Sequence, residues 1–392
     1  MPLADSGPEV GAFGERDFVD APPDASRQAE RPRRRWASWR LALGLSPTPR
    51  SGLVLLLVGM ALGPHGLRVL SEPVLSSLDA AVSVALVALG VLVGLEVDFR
   101  SPDEGRLLAV ASLDAGVTMM IVGAGMALLQ LWSSAAADQI PWLLALMLGV
   151  CAASSSTRAD GVEDVRYRLT TRVGDLDDVL PIVLAALAIV WTRQQTPAGY
   201  AWFLGQGILL AVAVAFAAQL LITETSGETE QRVFVIGALL LLGGVAAHLS
   251  LAAPLVGLAA GLFWNLTGGA ARDRLAREVP YLQHPLTVLL FIVAGARANL
   301  SGDLLGVGVG YAALRILGKL TGGWFAARVT PELPRRLGLF LSAPGVVGIA
   351  IALNVLQARG YAGSTMLAIV IAGSLTAELF SLVVGVRQDD VA

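Results

Sequence analysis

The chain has one cysteine, Cys151, and three scattered histidines, His65, His248 and His284. One thiol forms no internal disulfide, and these residues nowhere reach metal-ligand spacing. Disulfide scaffolds, thiolate clusters and permanent metal centres are therefore excluded, and no cofactor is expected. Charge is scarce as well: Asp, Glu, Lys and Arg make up 15% of the 392 residues, against about 25% in a soluble domain. Lysine is scarcer still, since 27 of the 28 basic residues are arginine and one, Lys319, is lysine. Apolar residues fill the chain instead, at 55% with a mean hydropathy of +0.67. Runs of about 20 of them recur from Gly52 onward, the length that crosses a bilayer as helix. The sequence is read as an all-α polytopic membrane protein, and soluble enzyme classes are set aside.

Residues 1–50 are rich in Pro, Arg and acids and are expected to form a disordered, basic, cytoplasmic N-terminal segment. Trp36, Trp39 and Leu43 share a helical face there, so the segment is either a short interfacial helix or an unstructured topology anchor. Residues 51–388 are expected to form the membrane domain. Twelve spans are predicted: 52–68, 76–97, 106–132, 140–158, 170–192, 200–222, 232–249, 253–267, 283–299, 303–327, 337–357 and 363–385. One set of connections holds Arg100, Arg106, Arg158, Arg166, Arg168, Arg172, Arg232, Arg272, Arg274, Arg277, Arg328, Arg335 and Arg336; the other holds Arg68, Arg193, Arg297 and Arg359. Thirteen against four predicts that both termini are cytoplasmic in a multi-pass protein of the cell membrane. Only Arg387 to Ala392 follow the last span, and no soluble domain is expected after it.

The fifth span contains Gly174-Asp175-Leu176-Asp177-Asp178. The apolar run after it, Val179 to Trp191, covers about 20 Å as helix, short of the ~30 Å hydrocarbon core. A crossing must therefore take in Asp177 and Asp178. Each aspartate at the bilayer centre costs ~2.5–3.5 kcal/mol, so both are expected to face a polar interior, where acids are functional by default. Asp175 either joins them or caps a helix start. Lys319 lies eight to nine residues inside the tenth span. Arginine does not deprotonate in a protein, whereas buried lysine shifts readily; Lys319 is expected to titrate or to form an ion pair that must break, unless it snorkels to the interface. Arg315, one turn away, is expected to be a structural partner for a backbone carbonyl or an acid.

Two spans carry breaks. Ser154-Ser155-Ser156-Thr157 ends the fourth, and Ser342-Ala343-Pro344-Gly345 interrupts the eleventh. Polar or Gly/Pro interruptions at corresponding places in two halves point to a transporter's binding site, and each break precedes an acid-bearing span, Asp177/Asp178 in the fifth and Glu378 in the twelfth. Gly306 and Gly310 are expected to form a helix-packing face. Asn265-Leu266-Thr267 matches a glycosylation sequon on the cytoplasmic side. Asp79, Glu96 and Asp114 lie in or near spans and are left unassigned.

This ordered set resembles the monovalent cation:proton antiporter superfamily, the sodium/proton exchangers. Leu62-Gly63-Pro64-His65-Gly66-Leu67 resembles its "GPxGL", and Val93-Gly94-Leu95-Glu96 its "GLE". The serine run resembles its first broken helix, Asp177-Asp178 the paired aspartates of its electrogenic members, and Gly318-Lys319 with Pro344-Gly345 its lysine helix and second broken helix. The resemblance covers roughly 52–386. It implies an inverted-repeat fold with two crossed broken helices, working as an elevator-type homodimer. It also implies Asp178 as the principal cation and proton carboxylate, with Asp177 pairing with Lys319. Pro344 departs from the basic residue of many relatives, and no nucleotide-binding domain is expected to follow as it does in Kef-type relatives. The expected activity is Na⁺/H⁺ exchange, with Li⁺ or K⁺ as other cations, by alternating access. The rivals are electroneutral K⁺/H⁺ exchange, a sodium-coupled symporter and a non-transporting membrane sensor or scaffold. No nucleic-acid partner is expected.

Overall fold

A computed structural model describes residues 50–97, 104–132, 142–156, 165–193, 196–225, 227–334 and 336–389. The basic N-terminal segment and Thr157 lie outside the described residues. The helices are α1 (Arg50–Leu62), α2 (Glu72–Ser77), α3 (Asp79–Glu96), α4 (Glu104–Trp132), α5 (Trp142–Ala153), α6 (Val165–Leu176), α7 (Val179–Arg193) and α8 (Pro197–Glu224). They continue as α9 (Glu228–His248), α10 (Ala253–Thr267), α11 (Gly269–Arg297), α12 (Gly302–Val329), α13 (Leu337–Phe340), α14 (Val346–Arg359) and α15 (Tyr361–Asp389). No named β-strand occurs among the described residues. Seven of the helices are long and apolar enough to cross a membrane, and four shorter ones are apolar throughout. Each of the twelve predicted spans coincides with one helix or with two in succession.

Two groups of helices pack mainly within themselves. In the first, α3 lies along α10, α1 along α11, and α8 and α9 flank α10 and α3. The α3–α10 contact is made by Gly90 and Gly94 on one side and Gly257 and Gly261 on the other. A Cβ on any of them would run into the opposing backbone, at Pro254, Leu258, Val87 or Val91. Small residues four apart let membrane helices touch backbone to backbone. In the second group, α12 lies along α4 and α15, α4 along α5, and α14 along α15. The α1 helix ends in the Gly63–Gly66 turn, where the Gly66 amide bonds to Gly63 O at 3.0 Å and the Leu67 amide to Ala61 O at 2.7 Å.

Three expectations need correction. The fifth span is not one helix, because it turns at Asp177-Asp178 between α6 and α7. The predicted loop 268–282 is helical: α11 begins at Gly269 and runs through Pro280 and Pro285 to Arg297. Gly306 has open space where its Cβ would be, and it is Gly308 that packs, against Ala372. The contact falls two residues from each member of the expected pair, so α12 presents a different stripe to α15.

Candidate functional site

The site is built where two helices stop. Pro344 has no N–H and disfavours helical geometry at Ala343, while serine hydroxyls compete for backbone groups after Ala153. Residues 154–156 and 342–345 therefore run extended and meet as an antiparallel bridge, Ser155 opposite Pro344. The Ser156 amide bonds to Ala343 O at 3.1 Å, the Gly345 amide to Ser154 O at 3.3 Å, and the Ser156 hydroxyl to Pro344 O at 3.2 Å. The ends of α5 and α13 leave carbonyls without intrahelical donors. Arg315, buried on α12, supplies them. Its Nη2 donates to Ser154 O at 2.7 Å and Ala343 O at 3.0 Å, and its Nη1 to Ser342 O. A cation at helix C-termini also complements their dipoles. The positive charge at the crossing thus comes from α12, while position 344 itself is proline.

One turn further along α12, Lys319 Nζ lies 2.8 Å from Asp177 Oδ2 and 2.9 Å from Asp114 Oδ2. All three side chains are fully buried. The Ser155 hydroxyl donates to the same Asp177 oxygen, linking the ion pairs to the crossing. Asp177 sits in the turn between α6 and α7; its amide bonds to Val173 O at 3.0 Å, and the Ile182 amide bonds to Asp178 O at 3.2 Å, so the turn keeps a helical course. Asp178 is half-buried. At this centre three buried carboxylate oxygens, Asp178 Oδ1, Asp177 Oδ1 and Asp114 Oδ1, have no hydrogen-bond partner among the described residues, and the Ser154 hydroxyl lies against the Asp178 carboxylate. An unsatisfied buried polar atom costs about 1–3 kcal/mol. Oxygen donors of this kind suit hard cations or protons.

The remaining expected residues fall around this centre. Asp175 is half-buried on α6 and is not a member of the Lys319 network. Glu378 is buried on α15. The unassigned acids acquire places: Asp79 pairs with Arg297 at 2.7 Å, and the Glu96 carbonyl accepts from Arg172, which also pairs with Glu104 at 2.6 Å. Asp114 is the residue that sequence reasoning passed over. Its signal was present, an acid ten residues into the apolar α4, but its partner is 205 positions away. Asn265 is buried and donates to Val97 O and Leu95 O at the end of α3, so its side chain is taken up inside the fold.

The sequence profile of a family described as "Sodium/hydrogen exchanger, transmembrane" matches residues 45–386. No curated protein matches the chain in sequence. Among solved structures, the chain is similar to the sodium proton antiporter MjNhaP1 from Methanocaldococcus jannaschii at pH 8, with 15% identity and a TM-score of 0.62 over 84% of this chain and 89% of that one. The structure of the same antiporter from an electron microscopy map gives 15% identity and a TM-score of 0.60, covering 89% and 91%. At such identity the likeness is one of fold.

Proposed function

Because the chain belongs to the sodium/hydrogen exchanger family, we propose that it is a secondary antiporter exchanging a monovalent cation, Na⁺ ahead of Li⁺ or K⁺, for H⁺ at Asp177 and Asp178. The observation that carries this reading is the buried, unpartnered Oδ1 of Asp178, next in sequence to an ion-paired Asp177 and with the Ser154 hydroxyl against its carboxylate. Ionised, Asp178 offers a charge for the cation; protonated, it offers none. One carboxylate does not hold both well, and that competition couples the two fluxes. Asp177 is held by Lys319 and Ser155, so Asp178 is the acid left to load and unload. The carbonyls at the crossing are engaged by Arg315, which leaves side-chain oxygens to meet the ion. Alternating access carries this centre from one membrane face to the other, in a homodimer of the 51–388 domain with both termini in the cytoplasm.

The reading is tested with purified protein in proteoliposomes, following cation-induced dissipation of a pH gradient over Na⁺, Li⁺ and K⁺. Dissipation is expected at the lowest concentration with Na⁺ and is expected to vanish in Asp178→Asn. No dissipation with any of the three would favour the non-transporting scaffold. Terminal reporter tags test the orientation, and an exterior signal at either end would overturn it.

A further inference from the structure

Lys319 makes two ion pairs of similar length but of different construction. Asp114 reaches it across α4 and α12, which pack along one another. Gly318 and Gly322, flanking the lysine, bring the backbones together: a Cβ at Gly318 would press on Thr118, and one at Gly322 on Asp114 itself. The Thr118 hydroxyl bonds to Asp114 O at 2.9 Å. Asp114 and Lys319 are thus fixed to each other by their helices. Asp177 instead approaches from the turn between α6 and α7, and neither of those helices packs substantially on α12. The Asp177 pair is not backed by direct packing of its helices on α12, and it is the one free to open.

We propose that Asp114 is a permanent counter-ion that keeps Lys319 protonated throughout transport, so that one proton exchanges for each cation and no net charge crosses the membrane. The inference rests on the antiporter reading above. Without Asp114, a cation that drew Asp177 away would leave the ammonium buried and unpaired. The lysine would then release its proton, two protons would move against one cation, and each cycle would carry one charge. The resemblance of Asp177-Asp178 to the paired aspartates of electrogenic members points to that outcome. With Asp114 at 2.9 Å, the ammonium keeps a carboxylate whatever Asp177 does. The exchange then balances at Asp178 alone, where one proton leaves as one monovalent cation arrives. Arg315, the other buried cation of α12, is held by three carbonyls and carries no proton in the cycle. Asp114 is a positioning residue, acting on the ion only through Lys319.

The test is the reversal point, the cation gradient that just balances a fixed pH gradient, measured in proteoliposomes with the membrane potential clamped. One net charge per cycle makes ~100 mV displace that point ~50-fold. The wild-type point is expected to stay put, and that of Asp114→Asn to move toward the 50-fold displacement. Asp114→Glu, which keeps the charge, is expected to stay with the wild type. A wild-type reversal point that follows the potential overturns the proposal, even if Asp114→Asn does not fold. So does an active Asp114→Asn whose point ignores the potential. Wild-type protein that moves no protons with any cation fails at the antiporter reading instead, and exchange that persists in Asp178→Asn fails at the assignment of the carrier.

Discussion

Two helix pairs in this molecule touch backbone to backbone, and they are put to opposite uses. Between α3 and α10 the glycines come from both helices and the contact around them carries no charged side chain. Between α4 and α12 the glycines flanking Lys319 come from α12, and the facing helix supplies Asp114. The first is a joint that has no reason to open. The second uses the same close approach to fix the distance between two charges. Close packing in the bilayer is thus a way of setting electrostatics as well as a way of holding helices together.

The comparison is broken most severely at the acid outside both joints. Asp178→Asn is expected to reduce exchange to the level of empty liposomes while leaving the melting temperature unchanged or higher, because a neutral amide replaces a half-buried carboxylate whose Oδ1 has no partner among the described residues. Next comes the charged joint. Lys319→Ala leaves two buried carboxylates uncompensated and should cost ~3–5 kcal/mol, with Asp177→Asn added to it recovering part of the loss in a thermal-melt cycle. Asp177→Asn alone should cost less than Lys319→Ala, since Lys319 retains Asp114; equal losses would show that the two ion pairs are not distinct. In the apolar joint, Gly257→Ala forces a methyl group against Val87 and should lower stability by ~1–3 kcal/mol without moving the reversal point. A change in ion coupling there would erase the distinction between the joints. The smallest effect is expected at Arg106 and Glu332, an exposed pair 3.6 Å apart. Removing either charge should shift stability by less than about 1 kcal/mol.

The twelve spans were legible because the cost of placing polar backbone and charge in lipid is written directly into hydropathy. The two breaks were legible for a local reason, since Pro344 and the serine run act on their own backbone. Asp177-Asp178 showed itself through the shortness of the apolar run behind it. Arg315 was expected to bind a carbonyl or an acid, but three carbonyls from two segments required knowing that those segments cross. Asp114 was hidden for the same reason: which buried acid meets which buried base is decided by the register of helices far apart in the chain. Gly306 and Gly310 misled because four-residue spacing recurs in a glycine-rich helix, and only the neighbour selects which glycine is used. The helical course of 268–282 was missed because its charges read as a loop.

Arg315 has a mechanical consequence. Its guanidinium holds Ser154, 161 positions away in sequence, together with Ser342 and Ala343, so the fork is satisfied only when both extended segments stand in one relation to each other. If one slid past the other, carbonyls would be stripped from a buried cation. The segments therefore shift together or not at all, and the crossing behaves as a riveted joint rather than a hinge. Whatever motion carries an ion across the membrane has to take place around this rivet, with its slack found at the edges of the helix group and not at its centre.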